Sequence, residues 1–554
     1  MKEKLELPEG FACPSYSSLY PNPIGEYPEN LLQGMPLYDT IFYVIERQAK
    51  IQYNFGDQKG EMNLIYEMCC FLDNDAKIRM NDLIASNPNQ YLFSNMSTLN
   101  FIMLALQKCD WEVSRNLSVE EKRSIYKVYL YCNEEWTSKQ EKGISALARK
   151  KDLLGMYFMA DVPIVEFKSH KDFRPQLFKA GRLFHFMESN DPYADFLRIF
   201  LEYKKATSWQ DYLMKLFSFY SCTLDKAIVK IEDKEKDQIV FFNNLSVKKD
   251  ECNDIWDGRN LKYLREHPLL KVGNYYFALN PNFLIDMFYQ GVKFDIFNAI
   301  KDRNPLNKKG KIIKDFGEFA SMLGNDFSEK EIFYRIMNMA FDGIVDVMKS
   351  GFEMDSAKVL APSDFYIRIN KSVYLFEYKD VMISDNDKYS YDYSKIKSAM
   401  LNKVAKDDGR VRKGLGQLLF SINEAVNNKS LSSLDPEISN ASEFYPIIVT
   451  TDRTFSSLGF QYMLVEACGN LIKNWKIPVL VKKPMVLDLD TLFLMTKRLH
   501  DRAIDFHSII NEYLNLKDFS ISSFDTFYSD HYQDQKILNE DDIKFLFEDV
   551  LKNM

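Results

Sequence analysis

Two short apolar runs in the segment APSDFYIRINKSVYLFEYKDVMI carry charged residues at their outer ends. Asp364 precedes the first run, and Glu377 and Lys379 end the second. Asn370-Lys371 lies between the runs, and asparagine tolerates the left-handed backbone that hairpin turns need. Counting outward from this turn places residue 364 opposite residue 377. Directly opposed side chains share one face of a sheet, roughly 5 Å apart.

The three charged side chains of this hairpin are of the types that bind a metal ion and a phosphate. Two facing carboxylates repel each other unless a positive group lies between them. Mg²⁺ is commonly held by one or two carboxylates together with phosphate oxygens and water, and Mn²⁺ accepts the same ligands. Lys379 reaches the same face because strand side chains alternate, and a lysine there can orient a water and stabilise phosphate charge. The pattern predicts metal-dependent phosphodiester hydrolysis, with Asp364 and Glu377 as the metal ligands.

The Glu-x-Lys spacing alone is weak evidence, because the chain contains five such triplets. Those beginning at residues 120 and 202 fall in predicted helices, and that at 232 lies in a charged run. The strongest competitor is Asp161 with Glu166 and Lys168, but too few residues separate its two acids for a hairpin. An ordinary ion pair at a sheet edge is the alternative interpretation of the triplet at 377.

The elements around the hairpin favour a multidomain α/β protein with a mixed central sheet. Residues 316–485 alternate a helix starting near Ser328, the hairpin, the helix KGLGQLLFSINEAVNN, the strand FYPIIVTTD, the helix LGFQYMLVEACGNLIKNW and the strand IPVLVKK. Phe365, Ile367 and Phe376 lie on the predicted core face of the hairpin. Residues 486–554 read as a helical extension with an acidic tail.

The region before the hairpin domain reads differently. Residues 1–235 are predicted mainly helical, with a capping box at Ser118 and Glu121 and an N-cap at Ser208. We expect this region to serve recognition, partner binding or regulation. Residues 236–315 form a predicted small α+β connection, with strand-like DQIVFFNNL and a hairpin turn at Gly273-Asn274. The polar stretch 301–315 is predicted to be a linker or exposed loop.

PSD at 362–364 and EYK at 377–379, with this order of elements, resemble the PD-(D/E)xK, or restriction-endonuclease-like, nuclease superfamily. The resemblance covers about residues 315–485. It implies a restriction-endonuclease-like αβ core and metal-dependent cleavage of nucleic acid, without naming a substrate. Asp364 and Glu377 would bind the metal, and Lys379 would serve the attacking water.

The resemblance also implies two catalytic helper residues outside the hairpin. Many members carry a further acid on the preceding helix, which Glu329 would match, with Glu331 as the rival. Acids in a first helical turn also serve as caps, so this is the structural alternative. Gln417 lies where members carry a Gln or Lys on the following helix. Some branches continue Gln-x-x-x-Tyr; here Ser421 stands instead, which puts membership of that branch in doubt.

Residues 388–413 form a predicted flexible basic loop with interleaved tyrosines at 389, 391 and 393. Lysines and arginines neutralise phosphates, and tyrosines can stack on exposed bases. An ordinary solvated loop is the alternative. The candidate nucleic-acid contacts are Lys395, Lys397, Lys403, Lys406, Arg410, Arg412 and Lys413.

Composition limits the remaining function classes. The net charge of -8 and pI of about 5.6 do not favour nucleic-acid binding by the whole surface. Eight cysteines without Cys-x-x-Cys and six histidines without metal-ligand spacing argue against zinc. No phosphate loop is present, so ATP-driven translocation would need another protein. No signal peptide or membrane-length apolar run is seen, so we expect a cytoplasmic protein without membrane contact.

These features together favour a Mg²⁺-dependent (or Mn²⁺-dependent) nuclease, and a DNA endonuclease in restriction or anti-phage defence before an RNA enzyme. A homodimer or a partner protein is expected, since many such nucleases need two sites to cut two strands. One alternative is a catalytically inactive nuclease-like module that binds nucleic acid or a partner protein. The other is a scaffold protein, which leaves the facing carboxylates unexplained.

Overall fold

The computed structural model describes residues 13–21, 27–52, 58–168, 170–225, 228–252, 261–475, 477–517, 519, 521–532 and 540–551. These residues form a mixed α/β protein with a helical N-terminal region, as the sequence predicts. The N-terminal helices are α1 (Tyr16–Leu19), α2 (Leu37–Gln52), α3 (Gln58–Cys69), α4 (Asn74–Ser86), α5 (Asn95–Lys108), α6 (Val119–Arg149), α7 (Leu153–Asp161), α8 (Phe173–Glu188), α9 (Tyr193–Lys204) and α10 (Trp209–Asp225).

Two predicted helix starts in this region are confirmed. Ser118 and Glu121 form the reciprocal capping box of α6, and the Ser208 hydroxyl accepts from the Asp211 amide at 3.1 Å. The region is closed by a small sheet and short helices. These are β1 (Ile228–Lys230), α11 (Lys236–Asn244), α12 (Lys262–Glu266), β2 (Leu269–Val272), β3 (Tyr275–Ala278), α13 (Pro281–Asp286) and α14 (Gln290–Ile300).

The small sheet has the order β1-β3-β2, with both pairs antiparallel. Val272 pairs with Tyr275, so the predicted Gly273-Asn274 turn is confirmed. The strand predicted over DQIVFFNNL is wrong, because residues 237–244 belong to α11 and Leu245 is its C-cap. Phe241 and Phe242 are buried there, and a short apolar run cannot by itself distinguish a buried helix from a strand.

One continuous helical stretch precedes the hairpin. It consists of α15 (Phe316–Leu323), the π-helical segment Gly324–Phe333 and α16 (Tyr334–Phe341). The predicted start near Ser328 is wrong, because the helix is capped by Asp315, whose carboxylate accepts from the Glu318 amide. The wider π turn shifts the spacing of apolar residues away from the α-helical period, which hides this continuity in the sequence.

The larger sheet contains the hairpin. Its order is β4-β5-β6-β7-β8, with β9 also pairing β7; β4 and β6 each run antiparallel to β5, and β6, β7, β8 and β9 run parallel. The elements of this part are β4 (Val347–Ser350), α17 (Gly351–Ser356), β5 (Phe365–Ile369), β6 (Ser372–Lys379), α18 (Asp385–Lys388), α19 (Tyr393–Val404), α20 (Leu415–Asn427), β7 (Glu443–Thr450), α21 (Phe460–Ile472), β8 (Leu480–Val481) and β9 (Met485–Asp488).

Two sequence expectations near this sheet need correction. The predicted strand IPVLVKK contributes only the two residues of β8, and β9, at the start of the predicted helical extension, is the longer strand. From residue 489 onward, the described residues of the extension are mainly helical. Its helices are α22 (Leu489–His500), α23 (Phe506–Leu514), α24 (Phe524–Tyr532) and α25 (Glu540–Leu551).

The large sheet is buried on both faces. Phe365, Ile367 and Phe376 pack into one core, as predicted, together with the π-helical segment, α16 and the C-terminal helices. Val373 and Leu375, on the opposite face, pack with α7, α19, α20 and α21. A third core lies within the N-terminal helices and the small sheet. Among the described helices, none combines the length and the apolar character that a membrane span requires.

Candidate active site

The predicted hairpin register is confirmed. Ile369 pairs with Ser372 and Phe365 with Phe376, around an Asn370 that has φ +54°. Continuing this pairing by one residue places Asp364 opposite Glu377. The two carboxylates therefore lie at the end of the β5–β6 pair.

Asp364 is held by backbone groups on both sides. The Tyr378 amide donates to Asp364 Oδ2 at 2.7 Å, and the Gly351 amide donates to the Asp364 carbonyl at 2.7 Å. A Cβ atom on Gly351 would lie 3.1 Å from that carbonyl and 2.9 Å from Tyr334 Oη, so a bare glycine suits this close approach. Burial raises the pKa of Asp364 to about 6, with Lys379 opposing this change and Glu329 adding to it.

Glu377 is fully buried and only half satisfied. Lys379 Nζ donates to Glu377 Oε1 at 2.5 Å, whereas Oε2 has no hydrogen-bond partner among the described residues. Burial, followed by the charge of Asp364, raises the pKa of Glu377 well above its ordinary value. Burial alone would lower the pKa of Lys379, but Glu377 and Asp364 outweigh it and raise that pKa. The lysine is therefore a cation at neutral pH.

The helical acid of the site is Glu329. Glu329 Oε1 accepts a hydrogen bond from the Tyr334 hydroxyl, and the Glu329 charge acts on Asp364, Glu377 and Lys379. Glu331, the rival, instead forms an ion pair with Arg182 of α8. The geometry thus brings Glu329 to the hairpin and directs Glu331 elsewhere.

A cavity of about 350 Å³ opens beside these acids. Glu329 and Asp364 form one part of its wall, and Gln417, Arg412 and Phe420 form another. The Arg412 guanidinium lies 4.0 Å from the centroid of the Phe420 ring, which fixes the plane of the cation. Three carboxylates, those of Glu329, Asp355 and Asp364, therefore share the cavity with an arginine and an amide.

Gln417 reaches the cavity because α20 is anchored next to it. The Ser421 hydroxyl donates to the Ala361 carbonyl at 2.6 Å, and Ala361, with φ +55°, precedes the Pro-Ser-Asp turn. The residue that departs from the Gln-x-x-x-Tyr pattern therefore ties α20 to the loop that carries Asp364. Gly414, with φ +54° at the N-terminus of α20, lies so close to Val404 that a Cβ atom would be 2.0 Å from its carbonyl oxygen.

The predicted basic loop is partly wrong, because residues 393–404 form α19. Several of its cations have acidic neighbours: Lys395 lies 3.4 Å from Asp387, Lys397 3.2 Å from Glu466, and Lys406 3.0 Å from Asp408. Arg410 and Lys413 are exposed and Lys403 is partly exposed. Of these predicted nucleic-acid contacts, the structure places Arg412 in the wall of the cavity.

The interleaved tyrosines do not form an exposed stacking surface. Tyr389 packs against the N-terminal core, and Tyr391 and Tyr393 pack against the core that contains α7 and α21. The Tyr393 and Phe158 rings meet edge to face with centroids 6.0 Å apart. The expectation that these tyrosines stack on bases is therefore wrong for this conformation.

The competing triplet is structural. Lys168 forms an ion pair with Asp161, whose Oδ2 also accepts from the Leu458 amide at 2.9 Å. Glu166 lies in a 3₁₀ turn and accepts two hydrogen bonds from Arg265, at 2.8 Å and 3.1 Å. Neither acid is on a strand, and both join the N-terminal region to other parts of the chain.

Comparison with known proteins gives no family for this site: no family model, curated protein or solved structure matches the chain. The site therefore has to be interpreted from its own geometry. In the part of the chain that the structure describes, no group of three or more His, Cys, Asp or Glu side chains has a metal-binding arrangement. Protein ligation of a cation here would rest on Asp364 and Glu377.

Sequence reasoning missed several cavity residues, among them Asp355, Tyr334 and Phe420. Tyr334 follows Glu329 by five residues, the spacing that a π turn brings onto one side of the helix, but the sequence carries no recognisable mark of a π turn. Phe420 follows Gln417 by three residues and thus lies on the same side of α20. The three-residue spacing of Gln417 and Phe420, together with the nearby Arg412, was the sequence signal that could have identified Phe420 as a cavity residue.

Proposed function

We propose that this protein is a metal-dependent nuclease whose catalytic domain, within residues 316–485, has a restriction-endonuclease-like core. The observation that carries the proposal is the convergence of Asp364, Glu377, Lys379 and Glu329, of which Asp364 and Glu329 line one cavity. The four groups come from the β5–β6 hairpin and a helix, and placing a fully buried acid beside two partly buried ones is unfavourable without a function or a cation. DNA is the proposed substrate before RNA.

A divalent cation fits the residues present. Glu377 Oε2 is a buried carboxylate oxygen without a hydrogen-bond partner among the described residues, and Asp364 immediately precedes the facing strand. Mg²⁺ is usually bound by one or two carboxylates, with water and substrate phosphates completing its shell. Asp364 and Glu377 would hold Mg²⁺ or Mn²⁺. When bound, such an ion supplies Lewis acidity toward a phosphate and lowers the pKa of a bound water.

The charge on Lys379 defines its part in the reaction. Because its pKa is raised, its ammonium group is a donor and not a base at neutral pH. It would orient the attacking water and stabilise the charge that develops on the phosphate. Glu377 Oε1 fixes the ammonium position through the hydrogen bond between them.

Arg412 and Gln417 extend the site toward the nucleic-acid backbone. The Arg412 guanidinium, stacked on Phe420, presents fixed donors suited to phosphate oxygens. The Gln417 amide can donate to a phosphate or to water. Arg410 and Lys413, exposed near Arg412 in sequence, would add sequence-independent attraction.

The wider setting is also a proposal. One cavity of this kind cuts one strand, so double-strand cleavage would use a homodimer or a partner protein. A role in restriction or anti-phage defence would suit a nuclease attached to a large helical region.

The proposal is tested by incubating the purified chain with supercoiled plasmid, single-stranded DNA and RNA, in Mg²⁺ and in EDTA. Asp364→Ala and Lys379→Ala should abolish cleavage, and Lys371→Ala, an exposed lysine in the same hairpin, should leave it intact. Cleavage that needs the metal and both residues supports the proposal and reveals the substrate. Cleavage that survives both substitutions places the active site elsewhere, and absence of cleavage in all conditions favours a nucleic-acid or protein-binding module.

A further inference from the structure

Asp380, the residue directly after Lys379, is a buried carboxylate bound from three sides. Its Oδ2 accepts from the Ser328 hydroxyl at 2.7 Å, and its Oδ1 accepts from the Thr451 hydroxyl at 2.9 Å. Lys293 Nζ lies 3.4 Å from Oδ1, and the Asp380 and Lys293 side chains are 11% and 4% exposed. Burial by itself would raise the pKa of Asp380, but Lys293 and the two hydroxyl donors outweigh it, so the pKa is lowered.

The donors lie next to the candidate site in three separate elements. Ser328 is fully buried and immediately precedes Glu329. Thr451 follows Thr450, which pairs with Lys379 in the β6–β7 register. Asp380 therefore connects the strand that carries Lys379, the neighbouring strand end and the helix that carries Glu329.

Ser328, whose hydroxyl donates to Asp380, lies in the middle of the π-helical segment Gly324–Phe333. π-helical turns are rare, and an isolated π turn offers no advantage in backbone bonding, so tertiary contacts must hold it. The Phe333 and Tyr378 rings also stack at 5.0 Å, but they fix the end of the segment. The hydroxyl–carboxylate bond fixes the residue adjacent to Glu329.

We propose that Asp380 is a positioning residue, which through Ser328 sets the location of Glu329 relative to Lys379. The inference rests on the proposed nuclease function and adds to it. Lys293 keeps the carboxylate charged, so α14, from the region before the catalytic domain, forms part of the support of the site. The side chains of Asp380, Ser328 and Lys293 can act in this way without touching the substrate.

The test uses the full chain, supercoiled plasmid DNA and Mg²⁺. Ser328→Ala removes the hydroxyl that donates to Asp380 without adding volume, and Ser321→Ala, which changes an exposed serine of α15, is the control. Ser328→Ala should lower kcat on the order of 10- to 100-fold with little change in KM, because small displacements of catalytic groups have effects of this size. Ser321→Ala should match the wild type.

A double-variant cycle separates positioning from general loss of structure. If Ser328 acts through Glu329, adding Ser328→Ala to Glu329→Gln should slow cleavage by no more than about twofold beyond Glu329→Gln alone. Multiplicative losses, or a Ser328→Ala variant as fast as the wild type, would overturn the inference while leaving the nuclease function intact. A wild-type chain that cleaves no nucleic acid with Mg²⁺ or Mn²⁺ would overturn both.

Discussion

The Tyr378 amide donates a 2.7 Å hydrogen bond to the Asp364 carboxylate, so the strand that carries Glu377 also holds the acid facing it. The Tyr378 amide stays in place when the side chain of residue 364 is changed, and it can donate to the carbonyl oxygen of an asparagine equally well. An asparagine at residue 364 therefore removes the negative charge while keeping the side chain in the same position.

Asp364→Asn should abolish cleavage and at the same time stabilise the metal-free chain. The charged carboxylate is unfavourable here, since burial and Glu329 raise its pKa to about 6. Removing it should increase stability by on the order of 2 kcal/mol above that pH, because a tenfold change in an acid dissociation constant corresponds to about 1.4 kcal/mol. Thermal unfolding in EDTA at about pH 8 measures this, and a lower melting temperature for the variant would contradict it.

Glu329→Gln and Glu331→Gln make a matched pair two residues apart. Glu329→Gln should lower the cleavage rate at least about tenfold, the usual scale for loss of a catalytic charged group. Glu331→Gln should retain the rate, since its partner is Arg182 and not the hairpin. Single-turnover cleavage rates at saturating Mg²⁺ compare the two, and equal losses would argue against Glu329 as the helical acid.

Arg412→Ala should weaken substrate binding more than Lys397→Ala does. Both cations have an acidic neighbour, Asp407 at 3.4 Å from Arg412 and Glu466 at 3.2 Å from Lys397. Of the two, Arg412 lies in the cavity wall, stacked on Phe420. Loss of one phosphate contact should reduce affinity and lower the salt dependence by about one unit of log–log slope. Fluorescence anisotropy of labelled DNA, with Ca²⁺ in place of Mg²⁺ to prevent cleavage, measures both quantities. The prediction fails if Lys397→Ala has the larger effect.

Asp488→Asn should change how stability depends on pH. Burial, Asp490 and Asp525 raise the pKa of Asp488 to about 8, above its ordinary value. The stabilisation from the protonated form is complete below the unfolded pKa and is lost as pH rises through the folded pKa. The wild type should thus lose up to about 1.4 kcal/mol per pH unit in that window from this group.

Asparagine can still cap α22, where Asp488 Oδ1 accepts from the Asp490 amide at 2.8 Å. Apparent melting temperatures at about pH 6 and about pH 9 provide the measurement. The variant should lose less stability than the wild type between these two pH values. At the higher pH the variant should be the more stable protein. Parallel curves would show that Asp488 does not titrate in this range.

The sequence determined the hairpin and the register that makes Asp364 face Glu377. Both depend on local rules, because side chains alternate with a period of two and the Asn370-Lys371 turn fixes the pairing. The same local reasoning found the capping box of α6 and the helix that carries Gln417. The division into four sequence ranges and the family resemblance stay predictions.

Only the tertiary structure decided which acid and which cations join the hairpin. Glu329 and Glu331 lie on different sides of one helix, and the choice depends on its packing against the sheet and α8. Arg412 reaches the cavity because Phe420 supports it. Such choices arise from contacts between residues distant in the chain, whose free energies depend on burial and on neighbouring charges that no local pattern records.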